Sequence, residues 1–235
     1  MTDFNQDKME VGAVLSEAVY RKSDSAKMKD VEKYYPDRFE YLDSDPNHLV
    51  VKDTQTGKIH LAIAGTDITG EKGNKLKDLG TDVLVTLGLH KLGNRYKKSD
   101  KILNALVKEH GKENIVLAAH SLGGTIASDL SHKYDVESHS FSRGGTHQTF
   151  SSNKYKVLHP AYRRRAKQNH VYLATPTTQG FDPLSLGTAM DPLANIHFTQ
   201  PKKLAKKDQG IIAHHSIHHH TPDLKKVKRN NPKKK

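Results

Sequence analysis

Apolar residues along the chain recur with two different spacings, which predict both helices and strands. Over 9–20 they recur every three or four positions, as in an amphipathic helix. Residues 21–46 are charged and aromatic without a clear period. The β-branched run 48–52 and the alternating run 58–64 predict two strands, and 53–57 has the composition of a hairpin turn. The chain is therefore expected to begin with a helix followed, later, by a β-hairpin.

The middle of the chain alternates between strand and helix patterns. A continuous apolar run over 114–119 is typical of a strand buried on both faces, and a helical pattern over 124–132 follows it after a short turn. The other patterns are helical at 79–89 and 102–107, and strand-like at 136–141 and 170–174. This order predicts an α/β fold with a central, mainly parallel sheet flanked by helices.

Composition excludes several classes of protein. The 235 residues include no cysteine, which excludes a disulfide scaffold, a thiolate zinc site and a cysteine nucleophile. No apolar run approaches the roughly 18 residues that a membrane-spanning helix needs. Residues 1–10 are polar and of mixed charge, unlike a secretory signal peptide. We therefore expect a protein that is not exported by a signal peptide and works in an intracellular or virion-associated setting.

Positive charge is concentrated near the C-terminus. Eleven of the 38 Lys and Arg but only two of the 26 acidic residues lie in 201–235, so this stretch carries +9 of the net charge of +12. We expect a polar lead over 1–8, one folded domain over 9–221 and a disordered basic tail over 222–235. Such a tail can bind an anionic membrane surface or nucleic acid. The residues expected to contact a polyanion are Lys225, Lys226, Lys228, Arg229, Lys233, Lys234 and Lys235.

The strongest local motif is Ala119-His-Ser-Leu-Gly-Gly124, between a predicted strand and a predicted helix. A serine on such a sharp turn presents its hydroxyl above the sheet, where it can act as a nucleophile. The next backbone N–H, that of Leu122, can then stabilise the oxyanion of a carbonyl under attack. The alternative is that Ser121 only caps the helix.

Together with a second motif, this elbow resembles the class 3 lipases, the fungal-lipase-like branch of the α/β hydrolases. The predicted strand 58–64 runs into Gly65-Thr-Asp67, and Asp78-Leu-Gly-Thr-Asp82 follows. The family has a Gly followed by Thr or Ser at the first position and an Asp-Trp-x-x-Asp-Leu element at the second. The resemblance spans about residues 9–220, and it implies an α/β-hydrolase fold.

The resemblance also implies an oxyanion hole. By that similarity Thr66 is the oxyanion-hole residue, which adds its backbone N–H to that of Leu122. The sequence departs from the family at Leu79, where tryptophan is usual, at Val83, where leucine is usual, and at Ala119, where the first glycine of the elbow is usual.

The acid and the base of a triad would follow the serine in chain order. The resemblance assigns the acid to Asp182, in a strand-and-loop segment that resembles the family's, with Asp191 as the competing position. It assigns the base to His215, with His214 and His218 as alternatives. A triad histidine is neutral at rest and bonds the acid through one ring nitrogen and the serine through the other.

The histidine run over 214–220 also permits a metal site, because clustered imidazoles bind zinc or nickel. No H-E-x-x-H spacing accompanies it, so we expect no physiological metal and no organic cofactor. The predicted function is a serine ester hydrolase acting on a lipid or another acyl ester. The alternative is a catalytically inactive hydrolase fold that binds polyanions, as a virion component would. The acyl chain, the head group and the oligomeric state stay open.

Overall fold

A seven-stranded mixed sheet forms the centre of the computed structural model, which describes residues 6–65, 89–143, 160–175, 191, 193–200 and 220–221. Side chains are not described at 89–93 and 161–163. The strands are β1 Phe39–Asp45, β2 His48–Asp53, β3 Ile59–Ile63, β4 Ile115–His120, β5 Glu137–Phe141, β6 Asn169–Ala174 and β7 Asn195–Thr199. They lie side by side in chain order. The first two pairings are antiparallel and the other four are parallel. The mainly parallel sheet predicted from the sequence is therefore confirmed.

Helices cover both faces of this sheet. Those described are α1 Gln6–Ala18, α2 Asp24–Tyr34, α3 Leu89–His110, α4 Leu122–Tyr134 and α5 Pro160–Ala166. Helix α1 packs on β3, β4 and β5, whereas α3 and α4 pack together and also contact β3 and β4. Helix α1 begins inside the expected polar lead, and the predicted helix over 79–89 lies, except for its last residue, outside the described residues.

Alternate residues of the central strands belong to two separate apolar layers. On β3, Leu61 and its alternate neighbours pack with Leu117 of β4 and Ile126 of α4, whereas Ala62 packs with Leu15 of α1. Both strands are buried along their whole length. This two-sided burial explains why β4 reads as one continuous apolar run.

Helix α2 was not predicted, because a lysine occupies a buried position. The residues that α2 buries are Lys27, Val31 and Tyr34, which lie on one helical face. The Lys27 ammonium donates to the backbone carbonyls of Asp45 and His48, at the turn between β1 and β2. A buried ammonium that is satisfied by carbonyls therefore replaces the apolar residue that a periodicity search requires.

Strands β1 and β7 were not predicted either, because both lie at the edges of the sheet that the described residues form. All residues of β1 after Phe39 are partly or fully exposed, and no residue of β7 is fully buried. An edge strand needs no continuous or alternating apolar pattern, since one of its sides has no neighbouring strand and its faces are less covered.

The buried histidine on β3 links stability to pH. The His60 ring packs edge-on against Phe39 with its centroid 5.8 Å away. Among the described residues, no hydrogen-bond partner reaches its Nδ1 atom. Burial lowers the pKa of His60 from 6.5 to about 4, because the charged imidazolium would lose its hydration.

We expect the free energy of unfolding to fall by about 3 kcal/mol between pH 7 and pH 4 on account of His60. In this window the unfolded chain binds a proton at this position and the folded chain does not, so acid favours unfolding. Urea unfolding at pH 7, 5.5 and 4.5 measures this loss of stability in the wild type and in His60→Phe. The control is His110→Gln, on the last turn of α3. Parallel loss of stability in the wild type and His60→Phe would contradict it.

Candidate functional site

Ser121 forms the sharp turn between β4 and α4, as the motif predicts. It is the single residue between His120, which ends β4, and Leu122, which begins α4. Its backbone lies at φ 56° and ψ −127°, a conformation that costs a non-glycine residue about 1–3 kcal/mol. The Ser121 N–H donates to the Phe141 carbonyl of β5 at 3.0 Å, and its carbonyl accepts from Gly124 N at 3.0 Å. Bonds to the sheet and to the helix therefore hold the strained residue in place.

The capping role considered for Ser121 is not observed. Within the described residues that begin α4, the Ser121 side chain makes no capping hydrogen bond to the helix. Leu122 is the first residue of α4, so its N–H is one of the amides that have no acceptor inside the helix. The serine hydroxyl and a helix N-terminal amide thus lie next to each other at the carboxyl end of β4.

Two glycines allow the elbow to pack closely against the end of β3. A Cβ atom on Gly123 would lie 2.3 Å from the Ile63 carbonyl oxygen, so only glycine fits there. A Cβ atom on Gly65 would lie 2.7 Å from the His120 carbonyl oxygen and 3.1 Å from the Ser121 Cβ. The loop after β3 therefore begins directly beside the serine. Thr66, the next residue and the predicted oxyanion-hole residue, lies outside the described residues.

A side chain from the turn after α1 and one from α3 hold the start of this loop. The Tyr20 hydroxyl accepts a hydrogen bond from Gly65 N at 2.9 Å and lies 3.2 Å from His120 Nδ1. The Arg95 guanidinium, on α3, donates from Nη1 to the carbonyls of Ala64 at 3.2 Å and Gly65 at 2.7 Å. Sequence reasoning missed both side chains, because each is distant in the chain from the loop that it contacts.

A Ser-His-Asp arrangement made of other residues than the predicted triad lies between α3 and the sheet. His48 Nδ1 is 2.9 Å from both carboxylate oxygens of Asp45, and its Nε2 is 2.8 Å from Ser99 Oγ of α3. Burial lowers the pKa of His48, against the opposing effect of Asp45. His48 and Ser99 are both fully buried, at 1% and 0% exposure. A substrate cannot reach Ser99, so these residues serve to attach α3 to the sheet.

The two candidates for the triad acid differ in what the structure describes. Asp182 lies outside the described residues. Asp191 is buried, accepts a hydrogen bond from Leu193 N at 2.9 Å and forms an ion pair with Arg143 at 2.5 Å. The Leu193 carbonyl in turn accepts from Asn169, the first residue of β6. Asp191 lies two residues before Leu193 in the chain, and its ion-pair partner Arg143 lies two residues after the end of β5. Asp191 therefore links these two segments, and its competing assignment as the acid stays a prediction.

The histidine run ends at His220, which lies near the carboxyl ends of the strands, where Ser121 also lies. The candidate bases His214, His215 and His218 lie outside the described residues. His220 is 2% exposed, and its Nδ1 lies 3.0 Å from the hydroxyl of Thr199, the last residue of β7. Its ring is 5.2 Å from Phe141, whose carbonyl accepts from the Ser121 N–H. His220 therefore belongs to the packed interior at the carboxyl ends of the strands.

The described part of the chain contains neither a metal-binding group nor a membrane-spanning helix. No three His, Asp or Glu side chains there are grouped so that they could hold a metal ion. In the same residues, no helix combines the length and the apolar character needed to cross a bilayer. The basic tail over 222–235 lies outside them.

Comparison with known proteins identifies the fold. No protein-family model matches the chain, and no curated protein matches its sequence. A deletion mutant of Rhizomucor miehei lipase, solved as a propeptide complex, superimposes with a TM-score of 0.53 at 10% identity, covering 93% of this chain and 78% of that one. A mutant form of MDLA from Penicillium cyclopium superimposes with a TM-score of 0.51 at 15% identity. This match covers 96% of this chain and 95% of that one. The chain thus has an α/β-hydrolase-like fold, and its structural neighbours include a Rhizomucor miehei lipase.

Proposed function

We propose that this protein is a serine ester hydrolase that cleaves acyl esters through a covalent acyl-enzyme. The observation that carries the proposal is the strained backbone of Ser121 at the strand-to-helix elbow. Strain of this kind persists only where the surrounding structure enforces it, and it is found preferentially at functional sites. A capping serine would need no such conformation, whereas a nucleophile must be presented above the sheet.

The proposed mechanism uses the triad inferred from the sequence. The Ser121 hydroxyl attacks the ester carbonyl while His215 removes its proton and then delivers it to the leaving alcohol. Asp182 orients the imidazole and stabilises the imidazolium. The backbone N–H groups of Leu122 and Thr66 stabilise the oxyanion. Water, activated by the same histidine, then releases the acyl group, and no metal or organic cofactor takes part.

We propose a lipid or another acyl ester as the substrate, and a relationship to the class 3 lipases. Two observations support this choice. The fold is similar to that of two fungal proteins, one of them named a lipase. The elbow and the Gly-Thr motif also occur in the order that the class 3 lipases show.

A fluorophosphonate probe tests the proposed activity directly. It should label the purified wild-type protein at Ser121, as peptide mapping by mass spectrometry would establish. A panel of esters from p-nitrophenyl butyrate to phospholipid vesicles then defines the substrate class. An unlabelled, folded protein that hydrolyses none of these esters would refute the proposal and favour an inactive hydrolase fold.

One histidine of the run should dominate catalysis. We expect His215→Gln to lower kcat by about 10⁴-fold or more, because the nucleophile then has no general base. His218→Gln and His219→Gln should have small effects, and His220→Gln should mainly lower the melting temperature, because His220 is buried. Steady-state kinetics of the single variants make the comparison. A dominant loss at His214 or His218 would move the base there. Several moderate losses that zinc restores would instead support a metal site.

The basic tail supports a second candidate function, the binding of polyanions. Its seven Lys and Arg lie beyond every residue that the catalytic proposal uses. Binding to an anionic membrane or to nucleic acid is compatible with hydrolysis and also with an inactive hydrolase fold. The two functions can therefore be separated by truncation.

Truncation after Thr221 should leave hydrolysis of a small soluble ester nearly unchanged. It should weaken binding to duplex DNA and to anionic vesicles, because up to seven cationic contacts are lost. The slope of log affinity against log salt on DNA should decrease by at most about 6, at roughly 0.9 per contact. Titrations at several salt concentrations measure the slope. Unchanged affinity for DNA would indicate that the polyanion binds elsewhere, at the Arg163-Arg164-Arg165 segment.

A further inference from the structure

Both peptide groups of Gly65 are held by side chains from outside its own loop. The Gly65 N–H donates to the Tyr20 hydroxyl at 2.9 Å, and the Gly65 carbonyl accepts from Arg95 Nη1 at 2.7 Å. The same Arg95 nitrogen also lies 3.2 Å from the Ala64 carbonyl. A charged donor thus contacts two successive carbonyls at the end of β3, beside the candidate nucleophile.

The Arg95 side chain comes from a helix that is itself fixed to the sheet. Ser99 lies one helical turn after Arg95 on the same face of α3, and its hydroxyl is 2.8 Å from His48 Nε2. The neighbouring Lys98 pairs with Asp45 at 3.0 Å. These bonds join α3 to the end of β1 and to the start of β2, and the start of β2 is paired with the end of β3. Arg95 is therefore held in position before any substrate binds.

Tyr20 joins the Gly65 peptide to the nucleophile elbow. Its hydroxyl accepts from Gly65 N and lies 3.2 Å from Nδ1 of His120, the residue before Ser121. The ring of Tyr20 also stands edge-on to that of His120, with centroids 6.2 Å apart. The loop after β3 and the turn after β4 therefore share one side chain that can keep their spacing constant.

We propose that Arg95 and Tyr20 are positioning residues that set the direction of the oxyanion-hole amide at residue 66. This inference rests on the proposed hydrolase function. In a trans peptide group the carbonyl and the N–H that follows it are coplanar and point in opposite directions. Holding the carbonyl therefore aims the N–H. A cationic donor on that carbonyl also polarises the peptide group, which makes its N–H a stronger donor to an oxyanion.

A merely structural Arg95 would have different consequences. If it only satisfied two carbonyls, its removal would lower stability and leave the turnover of each folded molecule unchanged. If it aims the oxyanion-hole amide, its removal lowers kcat while KM changes little, because the negative charge on the oxygen develops during the attack and is absent from the bound ester. The division of the effect between kcat and KM, together with the melting temperature, distinguishes the two roles.

The experiment compares Arg95→Ala and Arg95→Lys with the matched control Arg164→Ala, whose side chain is 71% exposed on α5. We expect Arg95→Ala to lower kcat on p-nitrophenyl butyrate by about 100-fold, as for loss of one oxyanion-hole donor, with KM within about threefold. Arg95→Lys should lose about tenfold, because one ammonium cannot reproduce the guanidinium geometry. Guanidinium chloride at tens of millimolar should raise kcat of Arg95→Ala and leave the wild type unchanged. Tyr20→Phe should lower kcat by about tenfold.

The outcomes distinguish a failure of this inference from a failure of the proposed hydrolase function. If the wild type is labelled by fluorophosphonate and hydrolyses the ester, a kcat for Arg95→Ala within twofold of the wild type would overturn the inference and leave the hydrolase function intact. An unlabelled and inactive wild type would instead refute the proposed function itself, and the inference with it. If Arg95→Ala does not fold at the assay temperature, Arg95→Lys decides alone, and wild-type kcat in that variant overturns the inference.

Discussion

Replacing Ser121 by alanine is expected to abolish ester hydrolysis and leave the fold intact. The substitution removes one hydroxyl from a turn whose backbone is held by Phe141 of β5 and by Gly124 of α4. Loss of a triad nucleophile lowers kcat by about 10⁴–10⁶-fold. Stability should change little, because serine and alanine meet the same steric conflict at φ 56°. Steady-state kinetics and fluorophosphonate labelling measure the loss.

Ser99→Ala is the matched control for that experiment. Ser99 is also a serine beside a histidine, with 2.8 Å between Oγ and Nε2 of His48, but it is fully buried. The variant should be labelled and active per folded molecule, with a stability loss of about 1–3 kcal/mol, because His48 loses a buried partner. Near-normal hydrolysis in Ser121→Ala, or loss of labelling in Ser99→Ala alone, would contradict the proposed nucleophile.

The two aspartates considered for the triad are expected to fail in different ways when each is changed to asparagine. Asp182→Asn should lower kcat by about 10⁴-fold, because an amide holds the imidazole in the wrong tautomer. Asp191→Asn should keep its activity per folded molecule and lose about 3–5 kcal/mol of stability, because the buried Arg143 guanidinium loses its counter-ion.

Measuring kcat and the urea midpoint for both variants separates the two effects. Active-site titration with the fluorophosphonate corrects the rates for the folded fraction. A severe loss of kcat in correctly folded Asp191→Asn, together with a normal kcat in Asp182→Asn, would show that Asp191 is the triad acid.

Local sequence patterns predicted the elements that are buried in a regular pattern. Strand β4 is apolar at every position before its last because both of its faces are covered, and the alternation along β3 matches two separate apolar layers. The turn between β4 and α4 was also predictable, because its chemistry is local. Small residues around Ser121 permit a sharp turn, and the structure confirms it at φ 56°.

The contacts that join distant parts of the chain became evident from the folded arrangement of the sheet and its helices. Local periodicity could not detect α2, where a lysine bound to carbonyls fills a buried position, or the edge strands, which are less covered by neighbouring elements. Local sequence likewise could not show that Asp191 pairs with Arg143, or that Arg95 holds the Gly65 peptide. Asp191 and its partner Arg143 are 48 residues apart in the chain, and Arg95 and Gly65 are 30 residues apart. A residue's neighbours along the chain determine its backbone preference, but the partner of a buried polar group depends on how the whole sheet and its helices pack.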